Sequence, residues 1–226
     1  MGARALKRTV ETARNRSQSS RMWLQRQLND PYVERAKKLG YRSRAAFKLL
    51  EIDEKYRFLK PGARVADLGA APGGWSQVAA AKVGVIPPDA KGLVAAVDLL
   101  PVQPIPGVHF ELLDFLADDA PQRVKAMLGG PADVVLSDMA PNTTGHKQTD
   151  HLRIMGLVEA AALFAADVLA PGGVFLAKVF QVGTERGLLS SLKQDFASVR
   201  HVKPAASRAD SAEIYLLAMG FRGRQK

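Results

Sequence analysis

Cysteine is absent from the 226 residues. No disulfide, cysteine-ligated zinc, iron–sulfur cluster or thiol nucleophile can therefore belong to this chain. Histidine is scarce: the four present show no ligand spacing, so no metal is expected. Long apolar runs are missing as well. The richest stretch, 156–179, is broken by Glu159, Asp167 and Lys178, so no membrane span is expected. No apolar segment follows the basic N-terminus, as a secretory signal would require. A reducing compartment, the cytoplasm, fits these absences. Residues 1–20, rich in Arg and Ser with Glu11 as the one acid, also have the composition of a mitochondrial transit peptide.

Acidic residues are scarce in one place only. Residues 1–60 hold 16 Lys and Arg against 6 Asp and Glu, whereas 61–226 hold 16 of each. The whole net charge of +10 thus lies in the first quarter. A basic segment on a neutral domain is the footprint of a polyanion binder. For residues 1–20 a solvated, disordered basic tail is the plainer reading.

What is present is a core. Apolar residues make up 47% of the chain, enough for one large domain or a domain with an extension. Ser43 could cap a helix to about Tyr56, with Ala45, Leu49 and Ile52 on one face and Arg44, Lys48 and Lys55 on another. Pro61-Gly62 marks a plausible domain boundary. Beyond it strands and helices alternate. Strands are expected at Arg64–Leu68, Leu93–Leu99, Val108–Leu113, Asp133–Ser137, Val174–Phe180, Val199–Val202 and Ile214–Met219. Helices are expected at Gly74–Lys82, Pro121–Leu128, Thr149–Leu169 and Glu185–Phe196. Most of the strands are continuous apolar runs, which implies an α/β fold whose parallel sheet is covered on both faces.

Four acids, Asp67, Asp98, Asp114 and Asp138, close four successive strands. One alone would be read as a helix cap or turn residue. Four in register place a ligand at the carboxyl edge of the sheet. The first turn runs Asp67-Leu68-Gly69-Ala70-Ala71-Pro72-Gly73-Gly74-Trp75. It is neither the GxGxxG of dinucleotide binders nor a P-loop. Asp98 stands where an acid can bind a ribose diol, a feature of NAD and adenosyl-cofactor proteins alike. Lys178 lies inside the apolar run Val174–Phe180; it either reaches solvent from the strand end or is a functional amine with a carboxylate partner. Glu213 opens the last strand. It is an exposed turn carboxylate or, if that strand runs antiparallel, a neighbour of Lys178.

Together Gly40–Leu49, Asp67–Gln77, Ser137-Asp138-Met139-Ala140-Pro141-Asn142 and Phe175–Phe180 resemble the FtsJ/RrmJ (RlmE) family of ribosomal RNA ribose 2′-O-methyltransferases, from about Arg21 to Gly220. The resemblance implies a Rossmann-like methyltransferase fold: a seven-stranded, mostly parallel sheet with an antiparallel last strand. It implies a catalytic tetrad Lys48, Asp138, Lys178 and Glu213. It also implies a site for S-adenosylmethionine at Asp67, Gly69, Pro72, Gly73, Gly74, Trp75, Asp98, Asp114 and Asp138. The implied substrate is a uridine in the A-loop of 23S ribosomal RNA in the large subunit, the protein acting as a cytoplasmic monomer. Residues 1–60 are expected to bind the RNA through Arg35, Lys37, Lys38, Arg42 and Arg44, and 61–226 to form the methyltransferase domain. Residues 1–20 and the segment 84–91, with Pro87-Pro88, depart from the family pattern. The alternatives are 2′-O-methylation of tRNA or another RNA, and a non-catalytic RNA-binding ribosome assembly factor. Base methylation is disfavoured because no aromatic residue follows Pro141, and hydride transfer by the missing GxGxxG.

Overall fold

A computed structural model describes residues 27–86, 90–141, 145, 147–180 and 186–223, together with 21, 24 and 25. The expectations for residues 1–20, Pro87-Pro88 and Asn142 lie outside them. Two helices lead in. Helix α1 (Pro31–Lys38) starts with Pro31 in its first turn, where a missing N–H costs nothing, while Asp30 Oδ1 accepts from the Tyr32 N–H at 3.0 Å. Helix α2 (Ala45–Tyr56) follows. Then come β1 (Arg64–Leu68), α3 (Gly74–Val83), β2 (Leu93–Asp98), β3 (Val108–Leu112), α4 (Ala120–Leu128), β4 (Ala132–Ser137), α5 (Lys147–Val168), β5 (Leu169–Phe180), α6 (Arg186–Asp195), β6 (Phe196–Val202) and β7 (Glu213–Phe221).

The seven strands form one sheet in the order β3-β2-β1-β4-β5-β7-β6. Only β7 is antiparallel to its neighbours, β5 and β6. The chain runs outward from β1 through β2 to β3 and then returns to β4 on the other side. The crevice at that reversal is where ligands of open α/β sheets bind.

Strand alternation divides the core between two faces. Ala66, Leu68, Ala95, Val97, Val135, Phe175 and Ala177 point to the side covered by α4, α5 and α6. Val65, Val94, Val134, Leu136, Val174, Leu176, Tyr215 and Leu217 point to the side covered by α2 and α3. Helix α2 contributes Ala46, Leu49 and Ile52 to that second core, so it is built into the sheet's own packing across the Pro61-Gly62 turn.

Observed boundaries differ from the expected ones mainly at β5 and β6. Strand β5 begins at Leu169, because Leu169 pairs with Ala132 before the register shifts around Pro171-Gly172-Gly173. Strand β6 begins at Phe196, which pairs with Phe221, and α6 therefore ends at Asp195. Lys48 packs closer to the apolar face than its grouping with Arg44 and Lys55 implies. At 100° per residue it lies within about 60° of Ala45 and Ile52, and it is only 8% exposed.

Candidate active site

Alternation also determines what meets at the carboxyl edge. Asp138 continues the parity of Leu136, and Lys178 that of Leu176. Tyr215 is the cross-strand partner of Lys178, and Glu213 precedes it by two residues on the same face. All four therefore look toward α2, which carries Lys48. Lys48 Nζ donates to Glu213 Oε1 at 2.5 Å. Lys178 Nζ donates to the Asp138 carbonyl at 2.6 Å and lies 3.2 Å from its Oδ1. The two ion pairs are mostly shielded from water, so they are screened far less than surface pairs.

Tyr215, which sequence reasoning missed, joins the pairs. Its hydroxyl lies 3.1 Å from Glu213 Oε1 and 3.3 Å from Asp138 Oδ1. Burial, then the charges of Asp138 and Glu213, raise its pKa well above that of a free phenol, so it stays a neutral donor. One O–H can serve only one carboxylate at a time. The ring packs 5.6 Å from Trp75, and Lys48 Nζ lies 5.8 Å from its centroid. The signal was available: Tyr215 is two residues from Glu213 and so shares its face. Burial pushes Glu213 upward, but the charges of Lys48 and Lys178 and the hydrogen bonds from Lys48 and Tyr215 together hold its carboxyl below the usual range. Ser207 Oγ adds a bond to Glu213 Oε1 at 3.2 Å.

Beside this cluster opens a cleft of about 550 Å³. Gly69, Asp98, Asp114 and Met139 line it, with apolar walls from Leu99, Phe115, Leu116 and Leu157. Each oxygen of Asp98 accepts one backbone N–H: Oδ2 that of Ala71 at 2.8 Å, and Oδ1 that of Leu100 at 2.7 Å. Both keep lone pairs for a vicinal diol. The size, the apolar walls and the diol acceptor fit a nucleoside-bearing cofactor. Gly69 has φ +78°, and a Cβ there would stand 2.7 Å from Met139 N, so only glycine lets the β1 and β4 loops meet.

The remaining expected cofactor residues lie behind or beside the cleft. Gly73 caps α3 with φ +108°. A Cβ on Gly74 would meet Ser43 Oγ at 2.5 Å, so this glycine lets α3 pack against the start of α2. Pro72 is exposed on the turn. Trp75 is 2% exposed and donates its indole N–H to the Ala45 carbonyl at 2.9 Å. Asp67 is fully buried. Its Oδ2 accepts from Ser76 Oγ at 2.6 Å, while Oδ1 has no partner. Burial drives its carboxyl up to about 7 against the Ser76 bond, and the charges of Asp138 and Asp98 add to the rise.

The five expected RNA contacts separate into two groups. Arg35, Lys37 and Lys38 are exposed on α1, Arg35 lying 4.7 Å over the Phe47 ring. Arg42 and Arg44 instead bind the protein. The Arg42 guanidinium donates to the carbonyls of Pro72, Gln103 and Pro104, tying the glycine turn to the loop after β2. Arg44 donates to the Ala206 carbonyl and pairs with Asp30 at 3.0 Å.

Asp98→Ala is expected to weaken cofactor binding by roughly 10- to 100-fold, the equivalent of losing hydrogen bonds to a charged group at about 1.5–3 kcal/mol. Isothermal titration with S-adenosylmethionine measures it. Unchanged affinity would reduce Asp98 to a turn residue.

Comparison with known proteins agrees with this geometry. Residues 41–221 match the family profile described as FtsJ-like methyltransferase. Ribosomal RNA large subunit methyltransferase E of Xanthobacter autotrophicus is 67% identical over 220 residues, covering 97% of this chain and 86% of that protein. Its namesake in Bradyrhizobium diazoefficiens is 65% identical over 217 residues, covering 96% and 94%. A Plasmodium falciparum crystal structure described as a ribosomal RNA methyltransferase superposes with a TM-score of 0.71 at 31% identity, covering 81% of this chain and all of that one.

Proposed function

The chain belongs to the FtsJ-like methyltransferase family, and from that premise we propose that it methylates a ribose 2′-hydroxyl of 23S ribosomal RNA, at a uridine of the A-loop, using S-adenosylmethionine. The observation that carries this reading is the pair of shielded ion pairs, Lys48–Glu213 and Asp138–Lys178, joined by Tyr215 at the edge of a nucleoside-sized cleft. Gly69, Asp98, Asp114 and Met139 would hold the cofactor, which supplies an activated methyl group. The protein's own part is to align the hydroxyl and take its proton. Lys178 Nζ would polarise the hydroxyl or, as a free amine, take its proton, while the oxygen–carbon bond forms and the sulfonium–methyl bond breaks. Asp138 orients the amine through its carbonyl and carboxylate. Lys48, held by Glu213, fixes the ribose oxygen from the α2 side. The protein acts as a monomer on ribosomal RNA in the large subunit.

Incubation with S-adenosylmethionine and 23S ribosomal RNA, followed by complete nucleoside digestion, tests the assignment. A 2′-O-methyluridine is expected with the free RNA or with large subunits that lack the modification; a base-methylated nucleoside, or no product on either, overturns it.

Because Arg42 and Arg44 are engaged internally, RNA affinity is assigned to the exposed face of α1. Replacing Arg35, Lys37 and Lys38 together with alanine should weaken RNA binding and flatten its dependence on salt. The slope of log K against log salt should fall by about two to three, since each phosphate contact contributes roughly 0.7–0.9. Cofactor affinity should not change. Parental RNA affinity and salt slope in the triple variant would show α1 to be only a solvated face.

A further inference from the structure

A second cleft, of about 580 Å³, lies at the opposite edge of the sheet, among the amino ends of β1 and β4 and the end of β7. The active site is at the carboxyl edge, so a strand's length of roughly 17–20 Å separates the two. Its wall is basic. Arg57 and Lys60 line it, as does Tyr56, whose ring carries Lys55 on one contact at 5.3 Å and Arg200 on another at 5.6 Å. One carboxylate, Asp133, lines it among the described residues, and its Oδ2 is taken by the Arg64 N–H at 2.8 Å. None of Lys55, Arg57, Lys60 and Arg200 has an ion pair among the described residues.

Four like charges gathered beside a single carboxylate, none of them in an ion pair among the described residues, repel one another. Part of the cluster has a local cause: Lys55 and Arg57 close α2, where cations offset the helix dipole. That cause does not reach Lys60, beyond the last turn, or Arg200, which comes from β6 and joins Lys55 on the same ring. Arg57 also adopts φ +53°, the only described non-glycine residue with positive φ, a conformation that L side chains disfavour. Part of the excess charge of residues 1–60 thus lies on α1 and part at this cleft. Helix α2, about 18 Å long, connects the two, with Lys48 between them.

We propose that this cleft is a second RNA-docking site, which grips the phosphates of a segment distinct from the one whose ribose enters the active site. The inference rests on the reading that the substrate is RNA. An RNA that spans the domain from edge to edge engages both clefts, while a short stem-loop reaches only the first. The protein therefore prefers its target nucleotide within a larger folded RNA.

The test compares a short stem-loop carrying the acceptor uridine with the same stem-loop embedded in a longer ribosomal RNA domain. The proteins are the parent and the triple variant Arg57→Gly, Lys60→Ala, Arg200→Ala. Glycine at position 57 relieves the backbone strain, and a melting curve with the turnover on the short stem-loop verifies the fold. The parent is expected to bind the longer RNA at least about tenfold more tightly, with a steeper salt dependence. The variant should lose that advantage, its salt slope on the longer RNA falling by about two to three, while its turnover on the stem-loop is unchanged. A variant that keeps the parent's preference overturns the site, as does a parent that shows no preference for length. Equal losses on both RNAs would also overturn it, because the cations would then act through the general field. If the parent methylates neither RNA, it is the proposed function that fails.

Discussion

Replacement of Lys178 by alanine is expected to stop methyl transfer while leaving cofactor affinity intact. The amine sits between strands β4 and β5, where register places it beside Asp138. Two bonds to that one residue, at 2.6 and 3.2 Å, set its direction. From that position the amine would take the proton of a hydroxyl or polarise it. Loss of a general base lowers rate by roughly 10²–10⁴-fold, and single-turnover methylation measures it. Cofactor binding should survive, because Lys178 does not line the cleft. Lys178→Met keeps the volume in the apolar strand and separates chemistry from folding. Lys178→Arg should not rescue, since a guanidinium remains protonated. Recovery by arginine would make the role electrostatic, and near-normal turnover by the alanine variant would remove Lys178 from the mechanism.

The sheet was legible because its inner strands are apolar on both faces. Val94–Val97 and Val134–Leu136 admit no other reading, and their ends fall within a residue of expectation. The acid row was legible in part: Asp98 and Asp114 line the cleft and Asp138 meets Lys178 at its rim, whereas Asp67 turns into the α2–α3 core. The four tetrad residues, matched by resemblance, converge because parity puts all of them on the α2 side. Legibility failed where tertiary partners override local pattern. Helical pattern alone groups Lys48 with Arg44 and Lys55, and its place in the site was legible only through the family resemblance, because its counterion Glu213 lies 165 residues away. The internal bonds of Arg42 and Arg44, to carbonyls at 103, 104 and 206, are likewise unannounced by the local sequence. Helix α1 was passed over although Asp30-Pro31 is a standard start signal, because eight residues with one buried side chain carry little periodicity. Much of the apolar cleft wall, Leu99, Phe115 and Leu116, comes from loops, whose packing no period announces.

Stability should fall as pH rises from about 4 to 7, through Asp67. Its parity turns it into the α2–α3 core, where only Ser76 answers it and Oδ1 finds no partner. A carboxylate so placed is disfavoured against the neutral acid. The folded pKa of about 7 stands above the ordinary 3.8. Below pH 4 both states hold the proton. Between 4 and 7 the unfolded chain releases it and the folded one does not, so stability is lost at up to about 1.4 kcal/mol per pH unit. Above 7 both are ionised and the loss is complete. Asp67→Asn keeps the size and a neutral partner for Ser76 but cannot titrate. Urea unfolding of parent and variant at pH 5 and pH 8 should therefore diverge, the parent losing on the order of 3 kcal/mol relative to the variant. Glu213 acts in the opposite sense, its lowered carboxyl adding stability as pH rises toward 4.5. That window lies below pH 5 and is common to both proteins, so it cancels in the difference. Parallel pH profiles would sink the assignment. They would mean that Asp67 is already ionised in the folded protein at pH 5, and that something beyond Ser76 compensates a charge the core leaves half unpaired.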